Sequence, residues 1–343
     1  MPLPQRILVI RLSAMGDVAM CVPVLLALKR DYPSVEIVAL TQKRFCSILE
    51  PLSGITFIEA DVNGVHKGIS GLYKLSREIK TLEINAVADF HNVLRSKILR
   101  AFLKGIPKAK IDKGRSDKKR LINDPDFFQR LRHSTERYAD VLRDLGFDIE
   151  LKGTEFLPQQ VVLPQIQEQI GLNSSKWVGF APFAAHQNKA ITLEKAKEIV
   201  KKIAKNDQVS ILLFGGGKKE IEQLKDIANS YTNVVNIAGI TDFKSELSVI
   251  SNLDAMIAMD SGNGHLAALY GVPVITLWGN THPYAGFAPY AQPKKNQLTV
   301  DREQFPLVPT SIFGNKKVKA YEHITNTIKV KGLVDRLNKI LDL

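Results

Sequence analysis

Cysteine is scarce in this sequence, which contains only Cys21 and Cys46 among its 343 residues. Both cysteines stand in apolar surroundings, so we expect two buried free thiols in a reducing compartment, with a single disulfide as the alternative. The scarcity excludes the class of small secreted proteins that depend on several disulfides for their stability.

Long apolar runs are also missing. Arg11 interrupts the first apolar stretch after residues 7–10, which is too short for the core of a signal peptide. No other run approaches the ~20 residues that a membrane-spanning helix requires. The sequence therefore predicts a cytoplasmic protein without an integral membrane segment, with peripheral membrane contact at most.

The glycines are too few, or wrongly spaced, for two common nucleotide-binding loops. The turn after the first predicted strand contains Gly16 alone, whereas the dinucleotide fingerprint requires three glycines. Residues 215–219 read Gly-Gly-Gly-Lys-Lys and lack the Gly-Lys-Ser/Thr ending of a P-loop. No cluster of histidines and cysteines has the spacing of metal ligands, so no metal site is predicted.

Positive charge is abundant and unevenly distributed. The formal net charge is +12, and residues 91–137 contain 14 Lys/Arg against 5 Asp/Glu, a local excess of 9. Such a region attracts phosphates, whether on nucleic acid, on anionic lipid headgroups or on a phosphorylated glycan. The alternative is a set of solvated helix faces without a ligand. Nucleic acid is the least favoured partner, because the region shows neither base-stacking aromatics nor a helix-turn-helix signature.

Strands and helices alternate along the chain in two consecutive sets, which is typical of α/β proteins with parallel sheets. Prolines and glutamines mark a boundary near residues 155–172. We therefore expect an N-terminal domain over residues 1–160 and a C-terminal domain over 173–325. The amphipathic helix within 326–343 is expected to follow them, with packing against the N-terminal domain as one arrangement.

Two turns between a strand and a helix carry polar residues, at 12–17 and 260–268. Ligands of parallel sheets bind beyond the carboxyl ends of the strands, and helix N-termini favour anions. Asp17 is predicted to cap a helix that continues to about Arg30, in which Pro23 either starts the main helix or kinks it. The plain alternative for both turns is that their acids and serines only cap helices.

Three stretches together resemble glycosyltransferase family 9, the ADP-heptose:lipopolysaccharide heptosyltransferases. They are residues 7–18 with 23–28, Asp260-Ser261-Gly262 with His265-Leu266-Ala267-Ala268, and residues 271–274 with 277–279 and His282-Pro283. The resemblance implies the GT-B type of α/β fold, in which two Rossmann-like, doubly wound domains face each other across a cleft. It also implies inverting, metal-independent transfer without a cofactor, from an ADP-heptose donor on the C-terminal domain to an acceptor on the N-terminal domain.

The resemblance assigns roles to individual residues. Asp17 matches the catalytic base, and Lys189 matches a lysine that neutralises the donor diphosphate. Glu220 is the candidate for the ribose hydroxyls, and the alternative is an acid that only stabilises the first turn of its helix. The remaining donor-binding candidates share the second turn and are Asp260, Ser261, Gly262, Gly264 and His265. The acceptor-binding candidates are mostly basic and are Ser13, Gly16, Arg95, Arg115, Arg120, His133 and Arg137.

The implied acceptor is a phosphorylated, Kdo-bearing glycolipid at the inner membrane surface, so attachment to the cytoplasmic face is expected. Two departures from the family pattern stand beside the donor turn. Ser261 replaces a frequent threonine but keeps the hydroxyl, whereas Asn263 replaces a larger apolar residue and bears on the choice of nucleotide-sugar. The alternatives are another GT-B nucleotide-sugar enzyme, such as an epimerase, and a nucleic-acid-binding protein that uses the basic region.

Overall fold

The computed structural model describes residues 2–170, 176–316 and 318–343. Contacts divide the chain into two compact units. The first unit contains the chain up to Lys113 together with His133–Leu157, and the second contains Gly114–Arg132 together with Pro158–Leu343. Among the described helices, none combines the length and hydrophobicity that crossing a bilayer demands.

The first unit is built on a parallel sheet in the order β3-β2-β1-β4-β5. Its strands are β1 (Arg6–Ile10), β2 (Glu36–Thr41), β3 (Ile55–Glu59), β4 (Ala86–Asp89) and β5 (Lys108–Lys110). The helices up to β5 are α1 (Met15–Ala19), α2 (Val22–Asp31), α3 (Cys46–Leu49), α4 (Gly68–Lys80) and α5 (Leu94–Phe102). The central strand β1 is apolar and buried between its neighbours, as its continuous apolar run predicts.

Residues 114–132 form an arm that leaves the first unit and packs within the second. The arm carries α6 (Arg115–Asn123), and the chain re-enters the first unit with α7 (Ser134–Arg143). Its apolar residues join a small core of the second unit. That core contains Leu121, Leu131, Ala285 and Ile312, flanked by Ile122, Phe127, Phe128, Tyr284 and Phe287.

The second unit has a parallel sheet in the order β11-β10-β9-β6-β7-β8. Its strands are β6 (Lys176–Ala181), β7 (Val209–Leu213), β8 (Val234–Asn236), β9 (Ala255–Met259), β10 (Val274–Trp278) and β11 (Gln297–Thr299). The remaining helices are α8 (Pro164–Ile170), α9 (Leu193–Ile203), α10 (Lys218–Ala228), α11 (Phe243–Ile250), α12 (Gly262–Ala268) and α13 (Val330–Leu341). The strands β6, β7, β9 and β10 are mostly buried, which places the core on both faces of this sheet.

Two expectations about organisation differ from the structure. The arm lies inside the range 1–160 yet belongs to the second unit, because its leucines are buried there and its phenylalanines are partly buried. The many charges of residues 113–120 predict a polar loop, whereas the structure has the helix α6, in which Leu121 provides an apolar anchor. The buried leucines of the C-terminal helix α13 join the main core of the second unit.

Candidate active site

Asp17 lies in the turn that follows the central strand β1. It is the third residue of α1, and its carboxylate accepts a hydrogen bond from the backbone N–H of Ala14 at 3.3 Å. The N-cap position is therefore Ala14, and Asp17 is not the cap that was expected. Of the two roles expected for Pro23, the structure shows that it starts the main helix: α1 ends at Ala19, and α2 has Pro23 in its first turn.

A buried arginine fixes the Asp17 carboxylate. Arg11 follows β1 directly, and its Nη2 lies 2.5 Å from Oδ2 of Asp17. The other terminal nitrogen of Arg11 donates to the Phe90 carbonyl at 2.8 Å. The arginine is thus held by the end of β4 while it holds the acid, so the ion pair has a defined orientation.

Tyr138 of α7 completes the surroundings of this ion pair. The Arg11 guanidinium lies 5.8 Å from the centre of the Tyr138 ring, which stacks on Phe90 at 4.9 Å. Burial raises the pKa of the Tyr138 phenol, and hydrogen bonding to the Asp17 carboxylate raises it further. Neither Arg11 nor Tyr138 was among the predicted site residues. The signal in the sequence is weak, since it amounts to a charged residue directly after an apolar strand.

His91, which follows Phe90, is a buried and neutral imidazole beside the same turn. Its Nδ1 accepts a hydrogen bond from the backbone N–H of Leu12 at 3.4 Å, so the ring proton lies on Nε2. Burial lowers the pKa of His91 to about 3, and the positive charges of Arg11 and Lys113 contribute. The ring is therefore an uncharged hydrogen-bond donor at neutral pH.

Five of the predicted acceptor-binding residues lie in the first unit, where Ser13 and Gly16 shape the Asp17 turn. Arg95 is exposed near the start of α5. His133 is the N-cap of α7, and its Nδ1 lies 2.8 Å from the Thr135 hydroxyl. Arg137 is buried and donates to the Asp112 carbonyl at 3.3 Å. His133 and Arg137 therefore each form hydrogen bonds within the first unit.

The other two acceptor candidates, Arg115 and Arg120, are exposed on α6 and belong to the second unit. Arg120 lies 3.9 Å above the Phe127 ring and 3.4 Å from the Asp124 carboxylate. The basic region of the sequence is therefore divided between the two units.

The second cluster lies at the carboxyl end of β9. Nζ of Lys189 is 2.8 Å from Oδ2 of Asp260, and both side chains are largely buried. Asp260 follows β9, whereas Lys189 ends a short 3-10 turn between β6 and α9. The structure therefore brings together two residues that the sequence separates by 71 positions.

Residues near the C-terminal part of the chain hold Lys189 in place. Gly314 (φ +74°) lies so close that a Cβ there would stand 2.3 Å from Cγ of Lys189. Asn280 donates to the Asn188 carbonyl at 3.3 Å and to the Tyr321 carbonyl at 2.9 Å. Any larger residue at 314 would displace the lysine, so this glycine is required by close approach. Neither Gly314 nor Asn280 was among the predicted site residues.

The turn after Asp260 begins α12, with Ser261 as the N-cap residue and Gly262 as the first helical residue. Oγ of Ser261 is buried and forms no hydrogen bond within the described ranges. Gly264 faces the sheet, since a Cβ there would lie 3.3 Å from that of Ala258. His265 is buried on the same helix. Gly264 therefore serves packing, while Ser261 and Gly262 present the polar edge of the turn.

Glu220 has a local role. Its Oε2 accepts a hydrogen bond from the backbone N–H of Gly216 at 2.9 Å, which closes the triglycine loop after β7. This contact corresponds to a first-turn acid of α10, the structural alternative to ribose binding.

No group of three or more His, Cys, Asp or Glu side chains could hold a metal ion within residues 2–170, 176–316 and 318–343. An Asp-x-Asp triplet does occur at Asp124-Pro125-Asp126. The Asp124 carboxylate is engaged by the backbone N–H of Asp126 at 3.2 Å and by Arg120.

The chain is similar to known proteins of one family. The sequence model of glycosyltransferase family 9 (heptosyltransferase) matches residues 72–315. The lipopolysaccharide core heptosyltransferase OpsX of Haemophilus influenzae is 25% identical over 300 residues, which cover 84% of this chain and 82% of OpsX.

Two solved structures share the fold. A family 9 glycosyl transferase from Veillonella parvula has a TM-score of 0.77 at 19% identity, covering 100% of this chain and 99% of the other. The E. coli heptosyltransferase WaaC with ADP has a TM-score of 0.67 at 16% identity, covering 98% and 99%. The predicted GT-B class, with two Rossmann-like parallel-sheet domains, is confirmed.

Proposed function

Because the chain belongs to glycosyltransferase family 9, we propose that it transfers a heptose from ADP-heptose to an acceptor of the lipopolysaccharide core type. The observation that carries this proposal is the Lys189–Asp260 ion pair at the start of α12, which lies within the matched range 72–315. The similarity to OpsX, a lipopolysaccharide core heptosyltransferase, and to the heptosyltransferase WaaC, whose structure contains ADP, supports the choice of sugar, acceptor and nucleotide.

On the donor side, the leaving group is a diphosphate that gains negative charge as the bond to the sugar breaks. Lys189 supplies a cation, oriented by Asp260, and the first N–H groups of α12 after Ser261 supply neutral donors. His265 and Asp260 orient this turn, and Glu220 contacts the ribose hydroxyls. We propose that these groups stabilise the diphosphate without a metal ion.

On the acceptor side, Asp17 acts as the general base. It removes the proton of the acceptor hydroxyl while that oxygen attacks the anomeric carbon of the donor sugar. The bond between this carbon and the phosphate oxygen breaks, ADP leaves with the electron pair, and the sugar configuration inverts. Arg11, held by Phe90, directs the Asp17 carboxylate. Asp17 lies outside the matched range 72–315, so its role rests on its place at the end of β1.

The acceptor should be anionic, because cationic side chains dominate the candidate residues. Arg95 is exposed on the first unit, and Arg115 and Arg120 are exposed on the second. A phosphorylated glycolipid carrying acidic sugars has the matching charge. We propose that the enzyme meets it while attached peripherally to the cytoplasmic face of the inner membrane.

The test combines nucleotide binding with turnover. Thermal shift and calorimetry should show selective stabilisation by ADP over UDP and GDP, since a ligand of the folded state raises its apparent stability. ADP-heptose should then release ADP only when a lipopolysaccharide core acceptor is present. Equal binding of the three diphosphates, or conversion of the nucleotide-sugar without acceptor, would overturn the proposal.

A further inference from the structure

Exposed apolar side chains are concentrated at one place on the first unit. Within its described residues, every large hydrophobic side chain that is exposed belongs to the set Val65, Ile69, Tyr73 and Leu94, with exposed fractions between 52% and 73%. We call this set the apolar patch. Single exposed hydrophobic residues are ordinary, but a concentration of them marks an interaction surface.

Three residues of the patch, Val65, Ile69 and Leu94, lie at the carboxyl-end edge of the sheet, and Tyr73 lies one turn further along α4. Helices α4 and α5 follow parallel strands, pack side by side and share one core, so they run in the same direction. The Tyr73 and Phe102 rings are in contact at 5.5 Å. Val65 stands in the loop before α4, Ile69 is the second residue of α4 and Leu94 is the first residue of α5, so these three lie at the N-terminal ends of the two helices. This end also carries Asp17 and His91.

The loop that presents Val65 is held firmly. The backbone N–H of Asp61 donates to Nδ1 of buried His66 at 3.1 Å, and Nε2 of His66 lies 3.2 Å from the Glu78 carboxylate on α4. A Cβ at Gly71 would stand 2.4 Å from the His66 carbonyl carbon, so the loop lies directly on the helix. The contacts of His66 therefore hold the loop in a conformation that exposes the Val65 side chain.

Four cationic side chains lie on the same loop and helices as the apolar patch. They are the exposed side chains Lys67, Lys74, Arg95 and Lys97. None of these four forms an ion pair with another described residue. The nearby Asp61 carboxylate accepts hydrogen bonds from the Gly64 and Val65 N–H groups, which offsets its charge locally.

We propose that the apolar patch and its four cations form the surface by which the enzyme docks on an anionic bilayer. Aliphatic tips and a tyrosine insert at the depth of the headgroups, while lysines and arginines bind lipid phosphates. A second copy of the chain fits this surface less well, because two-fold symmetry would place the like charges against each other. The inference extends the proposed function, since it places a lipid-held acceptor beside the Asp17 turn.

The experiment measures co-sedimentation of the full-length protein with plain vesicles, without any acceptor. Vesicles of phosphatidylglycerol and phosphatidylethanolamine should bind the protein, and phosphatidylcholine vesicles should bind it far less. The double variant Ile69→Asp/Leu94→Asp should lower binding to the anionic vesicles roughly tenfold or more. Lys67→Glu/Lys74→Glu should also lower it and reduce its salt dependence.

The matched control is Val161→Asp/Leu307→Asp, which places two acids at exposed apolar positions of the second unit. This control should bind vesicles as the unchanged protein does, and all variants should keep the melting temperature. Retained vesicle binding by Ile69→Asp/Leu94→Asp would overturn the proposal, as would absence of binding to anionic vesicles. A dimer in sedimentation equilibrium that this variant converts to monomer would also overturn it, by identifying the patch as a self-association surface.

Turnover separates this inference from the proposed function. With ADP-heptose and a lipid-free, water-soluble acceptor, Ile69→Asp/Leu94→Asp should retain the kcat and KM of the unchanged enzyme. An increased KM for the soluble acceptor would assign the patch to acceptor binding and overturn its role as a bilayer surface. If the unchanged enzyme transferred no heptose, the proposed function would fail while the vesicle result remained.

Discussion

The turn after β1 and the turn after β9 each contain a carboxylate that pairs with a cation. The more exposed partner is the carboxylate in the first turn and the cation in the second. In the first unit, the Asp17 side chain is 29% exposed and its partner Arg11 is 11% exposed. In the second unit, Lys189 is 16% exposed and its partner Asp260 is 8% exposed. The first turn therefore presents a carboxylate supported by a buried cation, and the second presents an ammonium supported by a buried carboxylate. Turns at the carboxyl ends of two parallel sheets thus suit a proton acceptor in one unit and an anion ligand in the other.

The largest effect should come from removing the exposed acid of the first turn. Asp17→Asn should lower kcat by roughly a thousandfold, because an amide cannot accept the acceptor proton. The Kd of ADP should be unchanged, since Asp17 is not among the donor groups. Steady-state ADP release and calorimetry measure the two quantities. Asp31→Asn is the control, because Asp31 also pairs with an arginine of the first unit, Arg30, at 2.7 Å. Full turnover by Asp17→Asn would show that the Asp17 carboxylate is not the proton acceptor, so the proposed chemical difference between the two turns would not hold.

The second turn is tested by removing its exposed cation. Lys189→Met should weaken ADP binding roughly a hundredfold, because a charge-assisted contact with the diphosphate is lost. This change also leaves Asp260 buried without its cation, so Lys189→Met/Asp260→Asn is the second variant. Lys176→Met, whose lysine pairs with Asp254 at 3.2 Å, serves as the control in the same unit. An unchanged Kd in the double variant would assign the ion pair to folding alone.

A pH experiment sharpens the account of the first turn, where His91 is neutral. The native pKa of His91, about 3, lies below the ordinary value of 6.5, so only the unfolded chain gains this proton between pH 6.5 and about 3. Its contribution to stability is complete above pH 6.5 and should fall by about 1 to 2 kcal/mol between pH 7 and pH 5.

His91→Asn keeps an acceptor for the Leu12 N–H and cannot titrate. The difference in free energy of unfolding between the two proteins, from urea titrations, should therefore shrink as the pH falls. His323→Asn changes an exposed histidine and is the control. A constant difference across this range would show that His91 takes up its proton as readily in the native state as in the unfolded chain.

The smallest expected effect on ADP binding comes from Glu220, the residue assigned to the ribose hydroxyls of the donor. Glu220→Gln should weaken ADP binding roughly fivefold if the carboxylate contacts the ribose, since one charge-assisted hydrogen bond becomes neutral. With 2′-deoxy-ADP the variant and the unchanged enzyme should differ less. An equal loss for both nucleotides would show that Glu220 acts only through the Gly216 contact.

Sequence patterns located the strands well, because parallel strands buried on both faces read as continuous apolar runs. β1 and β9 are examples, and the turns that follow them contain most of the site. The edge strand β11 was missed because Gln297 and Thr299 give it no apolar run. The helix α6 was missed because seven of its nine residues are polar or charged, and its one buried leucine interacts only within the second unit.

The partners within the site were harder to predict than its position. Lys189 and Asp260 were each identified, but their ion pair depends on how β6 and β9 adjoin in the sheet. Arg11 was not predicted as a site residue because a charged residue after a strand forms no distinctive sequence pattern. Its orientation depends on a hydrogen bond to the carbonyl of Phe90, which directly follows the neighbouring strand β4. The amphipathic pattern of α13 revealed that it has an apolar face, not which core buries it.

The arm over Gly114–Arg132 has a consequence for the order in which the protein is made. A ribosome delivers the arm before residues 284–312, which later cover its phenylalanines and Leu131. During that interval the first unit can complete its sheet and α7. The apolar side chains of the arm remain exposed to solvent until residues 284–312 have been synthesised. Neither unit corresponds to one uninterrupted stretch of the gene. A fragment beginning at Pro158 would therefore lack part of its own core, and one ending at Leu157 would expose the arm to aggregation.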